Sequence, residues 1–339
     1  MVERVLDSAK YIAENSEYVK IPIHNVEQAA EKILKNMEER NYSTGTWNEH
    51  VLNPKELNQD TIDWIFLVDL LNFSFWSDVD KEDKGEPHSG RYTIKYKDNS
   101  YTGYWSLCAA INKALDNGIP ITKPSYLQQA SDEELASVFK SDTTEEISLL
   151  SDRIQLMKQA GRALCQHFNG SFLYCIQKAN HSAQSLIDII LEYFPSFRDI
   201  HEFKGRKVYI LKRAQILVAD IWACFDGKSY GEFKDIDSIT MFADYRVPQA
   251  LYHLNLLEYT TELKNKLKNR EILLSGSPEE IEIRGNSIWS VELVRQYIQT
   301  LSPKNHINAI LIDFYIWDLA KEIQTDFIIP THCTRSIYY

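Results

Sequence analysis

The chain lacks the features that define several protein classes. Its five cysteines are scattered and include no C-x-x-C pair, which argues against both a disulfide framework and a zinc site. No apolar run approaches the roughly 18 residues that a membrane-spanning helix needs. Residues 1–5 lead into no apolar segment typical of a signal peptide. We therefore expect a soluble protein with reduced thiols, located in the cytoplasm, with the nucleus as a second compartment.

Positive charge is also scarce. The formal net charge is −11 and the pI is about 5.4, whereas a protein that binds a polynucleotide normally presents a basic face. A single nucleotide needs only a local cation. The phosphate-loop, G-x-G-x-x-G, H-E-x-x-H and G-x-S-x-G patterns are absent. We expect a monomer that binds a small molecule, with no metal, no redox cofactor, no polynucleotide and no membrane as partner.

Helical periodicity dominates the chain, and 44% apolar residues suffice for a substantial core. The seven Trp, nineteen Tyr and fourteen Phe fill such a core or form walls for a planar ligand. The predicted helices span residues 2–15, 26–41, 61–72, 106–117, 132–139, 147–168, 171–179, 182–194, 207–225, 247–257, 258–268, 287–301 and 309–323.

One β-hairpin is predicted, with alternating strands at 91–96 and 100–104. Upstream, residues 78–90 are a polar, charged loop, and residues 281–285 are a short extended piece. The predicted fold class is mainly α. We expect a single large helical domain, residues 1–339, into which the hairpin is inserted at about residues 78–104.

Asp244 is expected in a loop that leads into a helix. Pro248 fits the first turn of that helix, where its missing N–H costs nothing. A carboxylate just before such a turn lies close to the positive end of the helix, and the aromatic residues Phe242 and Tyr245 flank it. This group could stabilise a developing positive charge, or it could simply cap the helix.

Six short motifs stand in order along the chain. They are Asn-Phe-Ser-Phe-Trp at 72–76, Gly-Tyr-Trp-Ser-Leu-Cys-Ala-Ala at 103–110, Gly-Ile-Pro-Ile-Thr at 118–122, the helix at 212–222, Met-Phe-Ala-Asp-Tyr-Arg at 241–246 and Thr-Arg-Ser-Ile-Tyr-Tyr at 334–339. Together they closely resemble the queuosine salvage protein family, the queuosine 5′-phosphate N-glycosylases (hydrolases). The resemblance extends from about residue 8 to Tyr339. Each motif alone is weak, whereas all of them in this order are highly specific.

The resemblance implies hydrolysis of the N-glycosidic bond of queuosine 5′-phosphate and release of the base queuine for tRNA modification. It also implies a helical fold that resembles the helix-hairpin-helix DNA glycosylases. The Gly-x-Gly hairpin of that superfamily is absent, and the tetrapeptide Ser-Tyr-Gly-Glu at 229–232 is at best a degenerate substitute.

Cleavage of the C1′–N bond builds an oxocarbenium ion, so a negative group is needed beside C1′ and the base must leave with its electrons. Asp244 matches the catalytic aspartate of the family and would stabilise the cation and orient water. Queuine is a 7-deazaguanine, so position 7 is carbon and takes no proton. Hydrogen bonds to O6 or N3 must carry the departing charge, and the sequence does not show which residue supplies them.

The resemblance also places acids against the base. Asp313 and Asp318 are five residues apart, about 140° around a helix, so they can flank a groove. With Phe314 they match positions that contact the base in the family, although an amphipathic helix with two solvated acids is the other interpretation. His50 lies in a W-x-x-H-x-L-N-P context where the family has a ligand-contacting His, although a lone His is more often an ordinary surface or core residue.

Lys212 begins the long helix and is a candidate catalytic residue, directed at the ribose or the 5′-phosphate, although it could be an ordinary surface cation. Arg335 and Tyr339 are candidate phosphate-binding residues from the tail. Four aromatic residues are candidate base-contacting walls, although such residues more often belong to a core: Phe75, Trp76, Phe242 and Tyr245.

Three functional hypotheses follow. The first is a metal-independent hydrolase of a modified nucleoside monophosphate. The second is a queuine-binding or tRNA-modification accessory protein without turnover. The third is a DNA-repair glycosylase, which the acidic composition and the missing hairpin glycines oppose. A binder should tolerate an amide at Asp244, whereas a hydrolase should lose transition-state stabilisation.

Overall fold

The computed structural model describes residues 2–78, 90–304, 306–323 and 328–339. Within these ranges the chain forms fifteen α-helices and six short strands, which confirms the predicted mainly α fold class. The likeness to helix-hairpin-helix DNA glycosylases stays a prediction. The helices are α1 (Val2–Asn15), α2 (Val26–Glu39), α3 (Gly45–Glu49), α4 (Gln59–Leu70), α5 (Tyr104–Asp116), α6 (Pro124–Gln129), α7 (Asp132–Val138), α8 (Leu150–His167), α9 (Leu173–Ala179), α10 (Ala183–Tyr193), α11 (Lys212–Cys224), α12 (Val247–His253), α13 (Thr261–Lys268), α14 (Pro278–Leu301) and α15 (Ala309–Glu322).

The strands pair into three antiparallel two-stranded sheets, β1 with β6, β2 with β3 and β4 with β5. They are β1 (Val19–Lys20), β2 (Thr93–Tyr96), β3 (Asn99–Thr102), β4 (Ile200–Phe203), β5 (Arg206–Tyr209) and β6 (Glu258–Tyr259). The predicted hairpin is confirmed as β2 and β3, with Thr93 opposite Thr102. Residues 79–89, the centre of the polar loop expected at 78–90, lie outside the described residues.

Three local predictions are wrong. Residues 281–285, expected to be extended, lie inside α14. That helix starts earlier than predicted because the Ser277 side chain accepts a hydrogen bond from the Glu280 N–H and Pro278 occupies the first turn. The alternating Ile281 and Ile283 resemble a strand only because α14 is buried on most of its faces.

The other two errors concern helix starts. Residues 207–209 belong to β5 and pair with β4, and α11 begins only at Lys212, after Leu211 takes a left-handed φ of 54°. Residues 258–259 form β6, which pairs with β1. Helix α13 follows, with the Thr260 side chain accepting from the Leu263 N–H. Short strands in a helical protein form through distant partners, which local periodicity does not reveal.

Helix α11 lies at the centre of the fold. It packs against α3, α4 and α10, and it is buried along its length apart from the half-buried Ile216 and Trp222. Helix α15 packs against α12 and α14. Among the described residues, none of the helices combines the length and the apolar character that crossing a membrane requires.

Candidate active site

A cavity of about 610 Å³ opens beside α11. This volume lies in the range of small-molecule sites. Its lining residues come from α11, α15, the loop before α12, the region of α3 and the junction of β3 with α5. They are Tyr42, Thr46, Trp47, Glu49, His50, Asn53, Asn72, Phe75, Arg91, Thr102, Gly103, Tyr104, Trp105, Lys212, Ile216, Asp220, Phe242, Asp244, Tyr245, Arg246, Asp313, Phe314, Trp317, Asp318, Lys321 and Tyr339.

The structure brings together ten of the twelve site residues predicted from sequence. Those that line the cavity are His50, Phe75, Lys212, Phe242, Asp244, Tyr245, Asp313, Phe314, Asp318 and Tyr339. Residues that are up to 289 positions apart in the sequence, from His50 to Tyr339, therefore share one chamber.

Trp76 and Arg335 lie outside this cavity, contrary to their expected place in the site. The Trp76 indole N–H donates to the Thr334 carbonyl at 2.9 Å, and the ring is stacked by the Arg335 guanidinium at 3.4 Å. Arg335 also binds the Asp78 carboxylate at 2.8 Å. Both residues line a neighbouring hollow of about 350 Å³. Their side chains pair with each other, which holds them away from the larger chamber.

Asp244 is fixed by backbone on one side. Its Oδ1 accepts hydrogen bonds from the Arg246 and Val247 N–H groups, both at 2.8 Å, at the start of α12. Asp244 therefore binds N–H groups at the start of α12 and lines the cavity at once, although Arg246 rather than Asp244 is the N-cap residue. Burial raises the pKa of Asp244, while the Lys212 ammonium and the two backbone N–H groups lower it in part.

Lys212 is buried, at 4% exposure, which excludes the surface-cation interpretation. Its Nζ donates to the Asn72 carbonyl at 3.3 Å. Burial lowers the pKa of Lys212, and the carboxylates of Asp244 and Asp69 oppose this shift. The ammonium therefore lies where it can favour the charged form of Asp244.

Asp313 shares this end of the cavity. Its Oδ1 accepts from the Phe242 N–H at 2.9 Å, which links α15 to the loop before α12. Burial raises the pKa of Asp313 well above its usual range, and the charge of Asp244 raises it further. Asp318 is the more exposed of the two α15 acids, and its Oδ2 accepts from the Tyr42 hydroxyl at 2.5 Å.

Aromatic rings form another part of the cavity wall. His50 stacks on Trp105, with ring centroids 3.3 Å apart and planes 10° apart. Burial, with help from the Lys321 and Lys55 charges, lowers the pKa of His50 to about 4, so this imidazole is neutral at pH 7. The Lys321 ammonium lies 3.8 Å from the ring centroid of Trp317, and burial lowers the pKa of Lys321 to about 7.

A buried ion cluster supports two parts of the backbone beside the cavity, the loop before α12 and the start of α11. Arg284 binds Asp199 at 2.6 Å and Glu280 at 3.1 Å, and its Nε donates to the Ala243 carbonyl at 2.9 Å. Asp199 in turn accepts from the Lys212 backbone N–H at 3.2 Å. One ion pair thus fixes both the loop next to Asp244 and the start of α11.

Sequence reasoning missed several lining residues, of which Asp220, Trp105 and Lys321 carry the most chemistry. A signal for Asp220 existed: Lys212, Ile216 and Asp220 follow one another at four-residue spacing on one face of α11. Trp105 lies within a motif that carries the resemblance, and its neighbours suggested only core packing. The described residues hold no group of three or more His, Cys, Asp or Glu side chains placed to bind a metal ion.

The arrangement can stabilise a cation beside Asp244 and hold a flat, polar ring system between aromatic walls and acids.

Comparison with known proteins is consistent with a ligand of this kind. Residues 52–339 match the family model described as queuosine salvage protein. A relative from Schizosaccharomyces pombe is 49% identical over 100% of both chains. One from Mus musculus is 45% identical over 98% of each chain. One from Sphaerobacter thermophilus is 37% identical over 99% of this chain and 97% of its own.

These three relatives carry the name queuosine 5′-phosphate N-glycosylase/hydrolase. Both the extent of the family match and the identity over nearly complete chains point to common descent. The chain belongs to the queuosine salvage protein family.

Proposed function

We propose that this chain hydrolyses the N-glycosidic bond of queuosine 5′-phosphate and releases queuine. The observation that carries the proposal is the placement of Asp244, a half-buried carboxylate held by two backbone N–H groups inside a nucleotide-sized cavity. The names of the relatives supply the substrate and the reaction.

In the proposed reaction, Asp244 lies beside C1′. As a carboxylate it stabilises the oxocarbenium character of the transition state and takes a proton from the attacking water. Lys212 keeps Asp244 ionised and faces the ribose or the 5′-phosphate. Water attacks directly, so no covalent ribosyl–enzyme adduct accumulates.

The base lies against the aromatic part of the cavity wall. The stacked pair of His50 and Trp105 offers a flat face to a bicyclic ring, together with Phe314. Because His50 is neutral, it does not repel the secondary ammonium of the base. Asp313 and Asp318 accept hydrogen bonds from the N–H groups and hydroxyls of the base. Tyr339 closes the wall on the ribose side.

We also propose that residues 1–339 act as a single domain and a monomer, on a free nucleotide and in the cytoplasm. The net charge of −11 supports the free nucleotide as substrate, because an acidic protein repels polynucleotides but admits a single phosphate at a local cation.

The test is release of free queuine from queuosine 5′-phosphate, followed by chromatography. The wild type should turn over, and Asp244→Asn should lose activity by on the order of 10³-fold, because the amide cannot stabilise the cation. The matched control is Asp98→Asn, which makes the same change at an exposed position of the β2–β3 turn and should keep full activity. Queuine binding without turnover in both wild type and Asp244→Asn would instead support the accessory-protein hypothesis.

A further inference from the structure

Helix α11 presents one acid to the cavity, Asp220, which the proposed reaction does not use. Asp220 lies two turns after Lys212, on the same face, and both line the chamber with Ile216 between them. Eight residues of helix span about 12 Å along the axis. A bicyclic base whose sugar is held near Lys212 and Asp244 would extend along this face toward Asp220.

Asp220 is backed by another buried acid. Asp69, on α4, is completely buried, and its Oδ1 accepts from the Asn72 side-chain amide at 3.1 Å. Its second oxygen has no hydrogen-bond partner among the described residues. The charge of Asp69 acts on Asp220, so ionisation of one member of this pair opposes ionisation of the other.

The cations beside this pair do not neutralise it. Lys212 gives its ammonium to the Asn72 carbonyl. The guanidinium of Arg213 donates to the carbonyls of Leu70 and Ser196. Neither cation forms a salt bridge with Asp69 or Asp220 within the ranges that the structure describes.

Burial is the largest effect on Asp220 and raises its pKa well above the usual range, and the charge of Asp69 raises it further. The titratable side chains that act on Asp220, or are acted on by it, from the surrounding elements are Asp69 on α4, Lys212 and Cys224 on α11, Tyr104 and Cys108 on α5, and Asp313 on α15. Lys212 and a hydrogen bond with the Trp47 side chain lower the pKa only in part.

The leaving base needs such a donor. Its five-membered ring has carbon at position 7, so charge released from the C1′–N bond must go into the six-membered ring. From N9 that charge is conjugated through C4 and C5 to the carbonyl oxygen at C6, where a proton donor stabilises it. We propose that Asp220, supported by Asp69, is the general acid that protonates the leaving base at this oxygen, an assignment that rests on the proposed hydrolase function.

The step balances without any further reactant. The water oxygen bonds to C1′ and the water proton goes to Asp244. The C1′–N9 bond breaks, its electron pair moves through the ring to the carbonyl oxygen, and that oxygen takes the proton of Asp220. Solvent then carries a proton from Asp244 back to the Asp220 carboxylate, and the free base shifts its proton to N9.

Two substrates separate this role from a structural one. The first is queuosine 5′-phosphate, and the second is 4-nitrophenyl β-ribofuranoside 5-phosphate, whose phenolate leaves without a proton. Asp220→Asn should lose about 10²- to 10⁴-fold in kcat on the first substrate, the usual contribution of a general acid. On the second substrate it should lose less than about tenfold, because protonation gives little help there. Asp244→Asn should lose on both, because the cation forms in either case.

Equal losses by Asp220→Asn on the two substrates, or no loss on the nucleotide, would overturn the assignment. If the wild type cleaves neither substrate, the proposed hydrolase function is wrong, and the role of Asp220 is then wrong as well. Cleavage of both substrates by the wild type, with equal losses in Asp220→Asn, would overturn only the role of Asp220.

A second variant tests the role of the pair with Asp220 in place. The acid must be protonated to act, so kcat of the wild type should fall as pH rises through the pKa of Asp220. Asp69→Asn removes the neighbouring negative charge and should move this alkaline limb to lower pH by about one unit or more. An unmoved limb would show that the two carboxyl groups do not share a proton and would contradict the supporting role of Asp69.

Discussion

Two groups of buried charges near α11 differ in how well they are paired. Behind the cavity, Arg284 forms ion pairs with both Asp199 and Glu280. Facing the cavity, the acids Asp220 and Asp313 have no salt bridge among the described residues. All are removed from water to a similar degree, so the difference between the groups comes from their partners rather than from burial.

The pKa directions follow that difference. Burial alone would raise the pKa of Asp199, but Arg284 and His201 together lower it well below its usual range. At Asp313 the Phe242 N–H and the Lys212 charge oppose burial only in part, and the pKa is raised. A paired cluster therefore holds the backbone in place, whereas an incompletely paired cluster retains protons and charge for chemistry.

The largest effect is expected from breaking the paired cluster. Arg284→Met should lower the free energy of unfolding by about 3–5 kcal/mol, because it leaves two buried carboxylates without their cation. Urea denaturation measures this. Arg40→Met is the matched control: it removes an exposed pair with Glu322 and should cost about 0–1 kcal/mol. A loss below about 1 kcal/mol in Arg284→Met would mean that the ion pairs of Arg284 do not stabilise the fold, and the two clusters would then not differ in this respect.

A smaller effect is expected from pH. Burial raises the pKa of Asp69 to about 7 from an ordinary value of 3.8. A raised carboxyl pKa contributes stability that is complete below the ordinary pKa and is lost as pH rises through about 7. The wild type should therefore lose on the order of 2–4 kcal/mol of stability between mildly acidic and alkaline pH.

Asp69→Asn cannot ionise, so its stability should change less over the same pH range. Urea denaturation of both proteins between about pH 4 and about pH 8 measures the difference. Parallel curves for the two proteins would show that Asp69 titrates normally. The pH dependence of stability that comes from Asp199 has the opposite sign. Its pKa is lowered, so its contribution to stability is lost only as pH falls below the ordinary pKa of an aspartate.

The smallest effect is expected outside both clusters. Arg335→Gln should change kcat/KM less than about twofold and stability by less than about 1 kcal/mol, because its partner Asp78 is exposed and the pair lies outside the cavity. Steady-state kinetics on queuosine 5′-phosphate checks this. A tenfold rise in KM would show instead that the phosphate reaches the neighbouring hollow. Arg335 would then be a phosphate-binding residue, as the sequence predicted.

Much of the site could be predicted because its residues follow local rules. Pro248 fixes the start of α12, and Asp244 is held by the N–H groups of that first turn. The spacing of Asp313 and Asp318 on one helix lets both line the groove. The motif order then indicated the family. Errors arose where partners are distant: the strand at 206–209 depends on its pairing with β4, and Trp76 was assigned to the cavity beside Phe75.

The mainly α class, the loop position of Asp244 and the family could be predicted from the residues alone. The pairing of the buried charges could not, because it depends on tertiary packing. Asp69 lies near Asp220, and Arg284 binds Asp199, because helices far apart in the chain pack together. The energy of a buried charge depends on its distance from other charges and on the loss of water, and neither quantity is encoded in local periodicity.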